Sequence, residues 1–162
     1  MNAVACSRYA GRMRRLAIAV KDGRRDALVE AAMMMAPLIA ERSTVVPMPS
    51  HEGMATYMLG LAIEIAKTRP DVRVEDVLKS APHPSMYSVK KGGGRARPVK
   101  MWMASDVRAD GGIVVIDNVI SSGATALSAA SAMPGASFLF LADATRSGKA
   151  KSLLNQKERN ER

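Results

Sequence analysis

A chain of 162 residues that is 48% hydrophobic has the size of one domain, and can bury a core without metals or disulfides. Cys6 is its single cysteine, which excludes an intramolecular disulfide, argues against a cysteine-based zinc site and fits a reducing, cytoplasmic setting. The net charge of +9 is local: residues 8–25 carry seven Lys/Arg against one acid, residues 90–100 five against none and residues 147–162 five against two, together +14, which leaves −5 for the rest. Such clusters attract phosphate-bearing partners, whether a small pyrophosphate or a nucleic acid. The apolar stretch Leu16 to Val20 ends at Lys21, far short of the roughly 20 residues a bilayer requires, so neither a signal peptide nor a membrane span is expected.

In chain order, Tyr9, Met13, Leu16, Ala17 and Val20 recur at helical spacing and predict a short basic helix over Arg8 to Lys21, broken by Asp22-Gly23. A second helix is expected over Asp26 to Glu41, so that residues 8–41 form an N-terminal helical segment. Thr44-Val45-Val46-Pro47 reads as a strand, Met48 to Gly53 as turn chemistry, and Met54 to Lys67 as a helix burying Met54, Met58, Leu61, Ala62 and Ile65. A short strand at Val72 to Val74 and a helical turn starting at Val77-Leu78 follow. Residues 80–100, punctuated by Pro82, Pro84, Gly92, Gly93, Gly94 and Pro98, read as a long flexible loop, either a lid or binding element or a simply disordered segment. Strands are expected at Val99 to Ala104, Ile113 to Ile116 and Phe138 to Ala142, and a disordered basic tail at 147–162. Strands separated by helical patterns predict one α/β domain, 1–146, with a mostly parallel sheet flanked by helices.

The stretch Ile113-Val114-Val115-Ile116-Asp117-Asn118-Val119-Ile120-Ser121-Ser122-Gly123-Ala124-Thr125 carries the chemistry. A buried strand delivers Asp117 to its C-terminal end, where ligands of open α/β sheets bind. A helix then begins whose first N–H groups lack intrahelical partners and whose dipole favours an anion. Ser121, Ser122 and Thr125 add hydroxyl donors and Gly123 permits a close approach, so the device suits a phosphate. It lacks the Gly-Lys-Ser/Thr of a Walker-type loop.

The same stretch resembles the phosphoribosyl pyrophosphate signature of type I phosphoribosyltransferases: four apolar residues, two acids, an apolar spacer, then Thr-Thr-Gly-x-Thr. Serines stand for both threonines and Asn118 for the second acid. Tyr9, Gly11, Arg14, Leu16, Ile18 and Lys21, then Val45-Val46-Pro47-Met48-Pro49, then Leu141-Ala142-Asp143-Ala144, are similar to the opening helix, first strand and closing strand of the competence protein F-like (ComF) branch. The likeness spans residues 8–146, and its specific part is 113–127.

This resemblance implies a type I phosphoribosyltransferase-like fold and transfer of phosphoribosyl to a nucleobase or other nitrogen acceptor, with release of pyrophosphate and with Mg2+ as cofactor. Asp117 and Asn118 take the acidic pair's catalytic place beneath the ribose, with Asp117 also a candidate for the metal. Residues Ser121, Ser122, Gly123, Ala124 and Thr125 hold the 5-phosphate. Ser50, His51, Glu52 and Gly53 form the pyrophosphate loop, with backbone N–H groups facing the ligand. Lys90, Lys91, Arg95 and Arg97, with Lys100, close over the leaving group. Glu52-Gly53-Met54-Ala55-Thr56 stands where that branch commonly has Arg-Gly-Phe-Asn-Gln, which replaces a cation by an anion. Two alternatives stay open: a phosphoribosyl pyrophosphate-binding regulator without turnover, favoured by Asn118 and Glu52, and a nucleic-acid binder using the basic segments. The acceptor, and homodimerisation as seen in family members, are not legible.

Overall fold

The structure, a computed structural model, describes residues 2–94 and 98–145, apart from the side chains of Met86, Tyr87 and Lys90. Arg95, Arg97 and the tail at 147–162 lie outside the described residues.

The fold is α/β, with five parallel strands: β1 (Asn2–Arg8), β2 (Ser43–Pro47), β3 (Arg73–Val74), β6 (Gly112–Ile120) and β7 (Ser137–Asp143), in the spatial order β1-β7-β6-β2-β3. A two-stranded antiparallel sheet pairs β4 (Leu78–Ser80) with β5 (Met101–Met103). The helices are α1 (Gly11–Lys21), α2 (Arg25–Met35), α3 (Tyr57–Thr68), α4 (Met86–Lys91) and α5 (Ala124–Ala132). Among the described residues no helix is long and apolar enough to cross a membrane.

Strand periodicity divides the core. On β6, Val114 and Ile116 face one cluster, with Leu16, Val20, Met35, Leu61 and Ile65 from α1, α2 and α3. Ile113 and Val115 face the other, with Phe138, Phe140, Ala126 and Ala129. Both faces of the sheet are thus covered, as a parallel sheet requires. Full burial of each such Leu, Ile, Val or Phe contributes about 1.5–3 kcal/mol before the entropy of ordering is subtracted. The connection from β2 through α3 to β3 leaves β6 in one direction, and that from β6 through α5 to β7 leaves β2 in the other. Right-handed crossovers of opposite direction place α3 and α5 on opposite faces and open a crevice between the C-terminal ends of β2 and β6.

Several expectations are corrected. Residues 2–8 form a strand, and the first helix starts at Gly11 rather than Arg8. The second helix stops at Met35 and gives way to a 3-10 turn at Ala36–Leu38, because Pro37 lacks the N–H that would continue it. The third starts at Tyr57, since the Ser50 N–H donates to the Met54 carbonyl (2.8 Å) and holds 50–54 in a turn. Met54 is consequently 62% exposed instead of buried. Leu78 opens a strand instead of continuing a helical turn from Val77, because it pairs with β5. The segment 80–100 includes α4, and its two ends are joined by the Ala81 N–H donating to the Lys100 carbonyl at 2.9 Å.

Candidate functional site

The crevice between β2 and β6 is a cleft of about 870 Å³, within the usual size of small-molecule sites. Its floor is the end of β6. Ser121, Ser122, Gly123 and Thr125 line one side, the loop Met48 to Glu52 another, and Tyr9, Arg14, Ala17, Ile18 and Lys21 a third.

On the first side, Gly123 adopts φ 79°, the left-handed region, and starts α5 without a side-chain cap that meets N2 or N3. The nearest approach is a long bond from the Ala124 N–H to Ser122 Oγ at 3.4 Å. The hydroxyls of Ser121 and Thr125 make no hydrogen bond among the described residues. Open N–H groups, a helix dipole and spare hydroxyls converge here, an anion site in physical terms.

The loop after β2 is differently organised from the expectation. The Ser50, Glu52 and Gly53 N–H groups are occupied within the loop, by Met54 O, Ser50 Oγ (3.2 Å) and Ser50 O (3.0 Å). His51 N–H, the Ser50 hydroxyl and the Glu52 carboxylate are what the loop can offer. It is also stitched to neighbouring segments: the Ser80 N–H donates to Gly53 O (3.2 Å) and the His83 N–H to His51 O (2.9 Å).

Asp117 and Asn118 both line the cleft at the end of β6. Asp117 Oδ1 accepts the Asn118 N–H at 2.7 Å, but burial dominates and pushes its carboxyl up to about 7. Asn118 is 5% exposed and donates from Nδ2 to the Ala17 carbonyl of α1 at 2.8 Å. Its Oδ1 is buried with no hydrogen-bond partner. Burial, then the charge of Asp117, raises the Tyr57 phenol above its ordinary value; nearby Asn118 opposes this weakly, its Oδ1 staying outside hydrogen-bonding geometry.

A carboxyl whose folded pKa exceeds its unfolded value of 3.8 holds its proton longer in the folded state, so its contribution to stability falls as pH rises from about 4 to about 7 and is constant above. Asp117→Asn is therefore expected to gain stability over the parent by about 2–4 kcal/mol at pH 8, and little at pH 4. Urea melts of both proteins across that range check it; a constant difference would refute it.

No family model matches the chain, and no curated protein resembles it significantly. The site must be read from its own geometry.

Of the residues singled out in the sequence, Asp117, Asn118, Ser121, Ser122, Gly123, Thr125, Ser50, His51 and Glu52 come together around one cleft. Ala124 contributes backbone at the helix start, and Gly53 lies buried behind the loop. Lys91 is exposed on α4 and does not line the cleft; Lys90 shares that helix. Tyr57, Thr56, His83 and Ser85 also line the cleft and were not anticipated. Arg14, Ala17, Ile18 and Lys21 were legible as one helix face, at spacings of three, four and seven.

A second depression, about 490 Å³, is lined by Pro37, Ile39, Ala40, Glu41, Arg42, Arg69 and Asp71. Its Arg69 and Asp71 are already used: Arg69 bonds Asp71 and the carbonyls of Ala36 and Ile39. Arg69, then the Arg42 N–H, hold the Asp71 carboxyl well below the usual range.

Proposed function

We propose that this protein is a phosphoribosyltransferase of the type I kind, which binds phosphoribosyl pyrophosphate and transfers phosphoribosyl to a nitrogen acceptor. The observation that carries the reading is the turn 121–125, with an uncapped helix start and spare hydroxyls, set two residues beyond Val119 on the strand that carries Asp117. The turn holds the 5-phosphate, and remote binding energy there orients the ribose C1 over Asp117. The acceptor nitrogen forms its bond to C1 as the C1–O bond breaks, the electron pair leaving on pyrophosphate; a proton on that nitrogen is released. Asp117, when ionised, accepts ribose hydroxyls and stabilises positive charge developing at C1.

Among the described residues no cluster of three or more His, Cys, Asp or Glu forms a metal cage. The carboxyls of Glu52 and Asp117, which line the same cleft, fit Mg2+ nonetheless, since this ion is commonly held by one or two carboxylates plus substrate oxygens and waters. Held by Glu52 and Asp117, such an ion would supply charge neutralisation for pyrophosphate.

Calorimetric titration of phosphoribosyl pyrophosphate with magnesium is expected to show binding that Ser122→Ala weakens about tenfold and Asp117→Ala about tenfold or more. Absence of binding to the folded parent overturns the reading. A second reading, binding without turnover, is favoured by Asn118, whose side chain serves α1 instead of the ribose. Binding without pyrophosphate release against any acceptor would select it.

A further inference from the structure

One wall of the cleft is left over once phosphates and ribose are placed. The 5-phosphate falls to the turn after β6 and the pyrophosphate to the loop after β2. The α1 wall stands on the other flank, packed against β6 and β7, with its Ala17 carbonyl pinned by Asn118. On it Arg14 and Lys21 lie two turns apart, about 10 Å along the axis, with Ala17 and Ile18 between them. Ile18 is 45% exposed, a large apolar side chain open to the cleft. Neither cation has an ion pair among the described residues; of the segment's other cations, Arg12 pairs with Glu30 and Arg24 with Asp26, each at 2.6 Å, and Arg15 and Arg25, unpaired as well, do not line the cleft. Asn118, whose Oδ1 is buried without a hydrogen-bond partner, lines the same cleft.

We propose that the α1 wall selects an acceptor carrying an anionic group, carboxylate or phosphate, on a flat and partly apolar body. The inference rests on the phosphoribosyl pyrophosphate reading of the other two walls. Arg14 or Lys21 pairs the anion, and Ala17 and Ile18 cover the apolar ring.

The test uses the full chain at 0.15 M salt with matched pairs that differ in charge and little in shape: pyridine-3-carboxylate and its carboxamide, 2-aminobenzoate and its amide, phenyl phosphate and phenol. Each is titrated with phosphoribosyl pyrophosphate and magnesium present. At least one anion is expected to bind about tenfold or more tighter than its neutral partner. A preference among the carboxylates alone, or in phenyl phosphate alone, identifies which anion the wall takes. Arg14→Gln or Lys21→Gln brings that ratio toward one, while Arg15→Gln, an equal loss of charge outside the cleft, preserves it. Equal affinities in every pair, or a ratio untouched by Arg14→Gln and Lys21→Gln, overturns the inference. Binding of a single-stranded oligonucleotide that displaces the small anions and depends on the same two residues overturns it in favour of a polymer. If phosphoribosyl pyrophosphate itself fails to bind, the functional reading has failed, and the same pairs titrated without it decide the α1 wall separately.

Discussion

Asn118→Asp is expected to destabilise the protein by about 3 kcal/mol or more at pH 8, instead of restoring an acidic pair. The Asn118 side chain is 5% exposed and spends its N–H on the Ala17 carbonyl at 2.8 Å. An ionised carboxylate there has no proton to give that carbonyl, so two oxygens face each other in a buried site beside Asp117. The new acid therefore keeps its proton in the folded state, and its folded pKa rises. The sign follows: the folded form binds a proton that the unfolded form has released, so stability falls as pH climbs from about 4 toward the raised pKa, and the loss is complete above it. At pH 4.5 the protonated acid can donate to Ala17 and the variant should approach the parent. Chemical denaturation at both pH values reads this, and equal stability of variant and parent at pH 8 would sink it. The charge on the second acid and the seating of α1 are alternatives in this chain.

Gly53→Ala should cost about 2–4 kcal/mol and weaken ligand binding with it. Gly53 has φ 95°, outside the range L side chains readily adopt, and a Cβ there would stand 2.5 Å from the Ser80 carbonyl oxygen. That oxygen is backbone of β4 and cannot swing aside as a side chain would. Relief requires moving the loop 50–54 off β4, which breaks the Ser80 N–H to Gly53 O bond. A fall in melting temperature of about 5 °C or more is expected for a domain of this size, together with weaker binding of phosphoribosyl pyrophosphate. The Gly123→Ala variant offers the contrast: its Cβ meets nothing within 4 Å, so only the φ of 79° is strained and the stability loss is smaller. If Gly53→Ala melts like the parent, the loop is not anchored on β4 as described.

The strands made of continuous apolar residues were legible, because Ile113 to Ile116 and Phe138 to Ala142 are buried on both faces and need no partner to be recognised. The phosphate-binding turn was legible for a related reason: its strand, glycine and helix start are contiguous in sequence. β1 was not, since Asn2-Ala3-Val4-Ala5-Cys6-Ser7-Arg8 has small and polar residues, and it becomes a strand by pairing with β7. The same tertiary pairing turned Leu78 from helix to strand. The loop's N–H groups illustrate a different limit. Sequence shows how many donors a turn contains, and the fold decides how many it has already used. Nor does the motif reveal that Asn118 bonds a residue 101 positions earlier, which is what brings the α1 face to the cleft.

The pairing of β1 with β7 also orders events during synthesis. Asn2 lies beside Ser137 and Arg8 beside Asp143, so β1 waits until β7 has been made before it has a neighbour in the sheet. Contacts of such separation are slow to form because the intervening loop must close first. β2, β3, α3 and β6 can assemble earlier around their own apolar faces. Chains halted before residue 137 should expose β7's place on β6 as an unprotected edge.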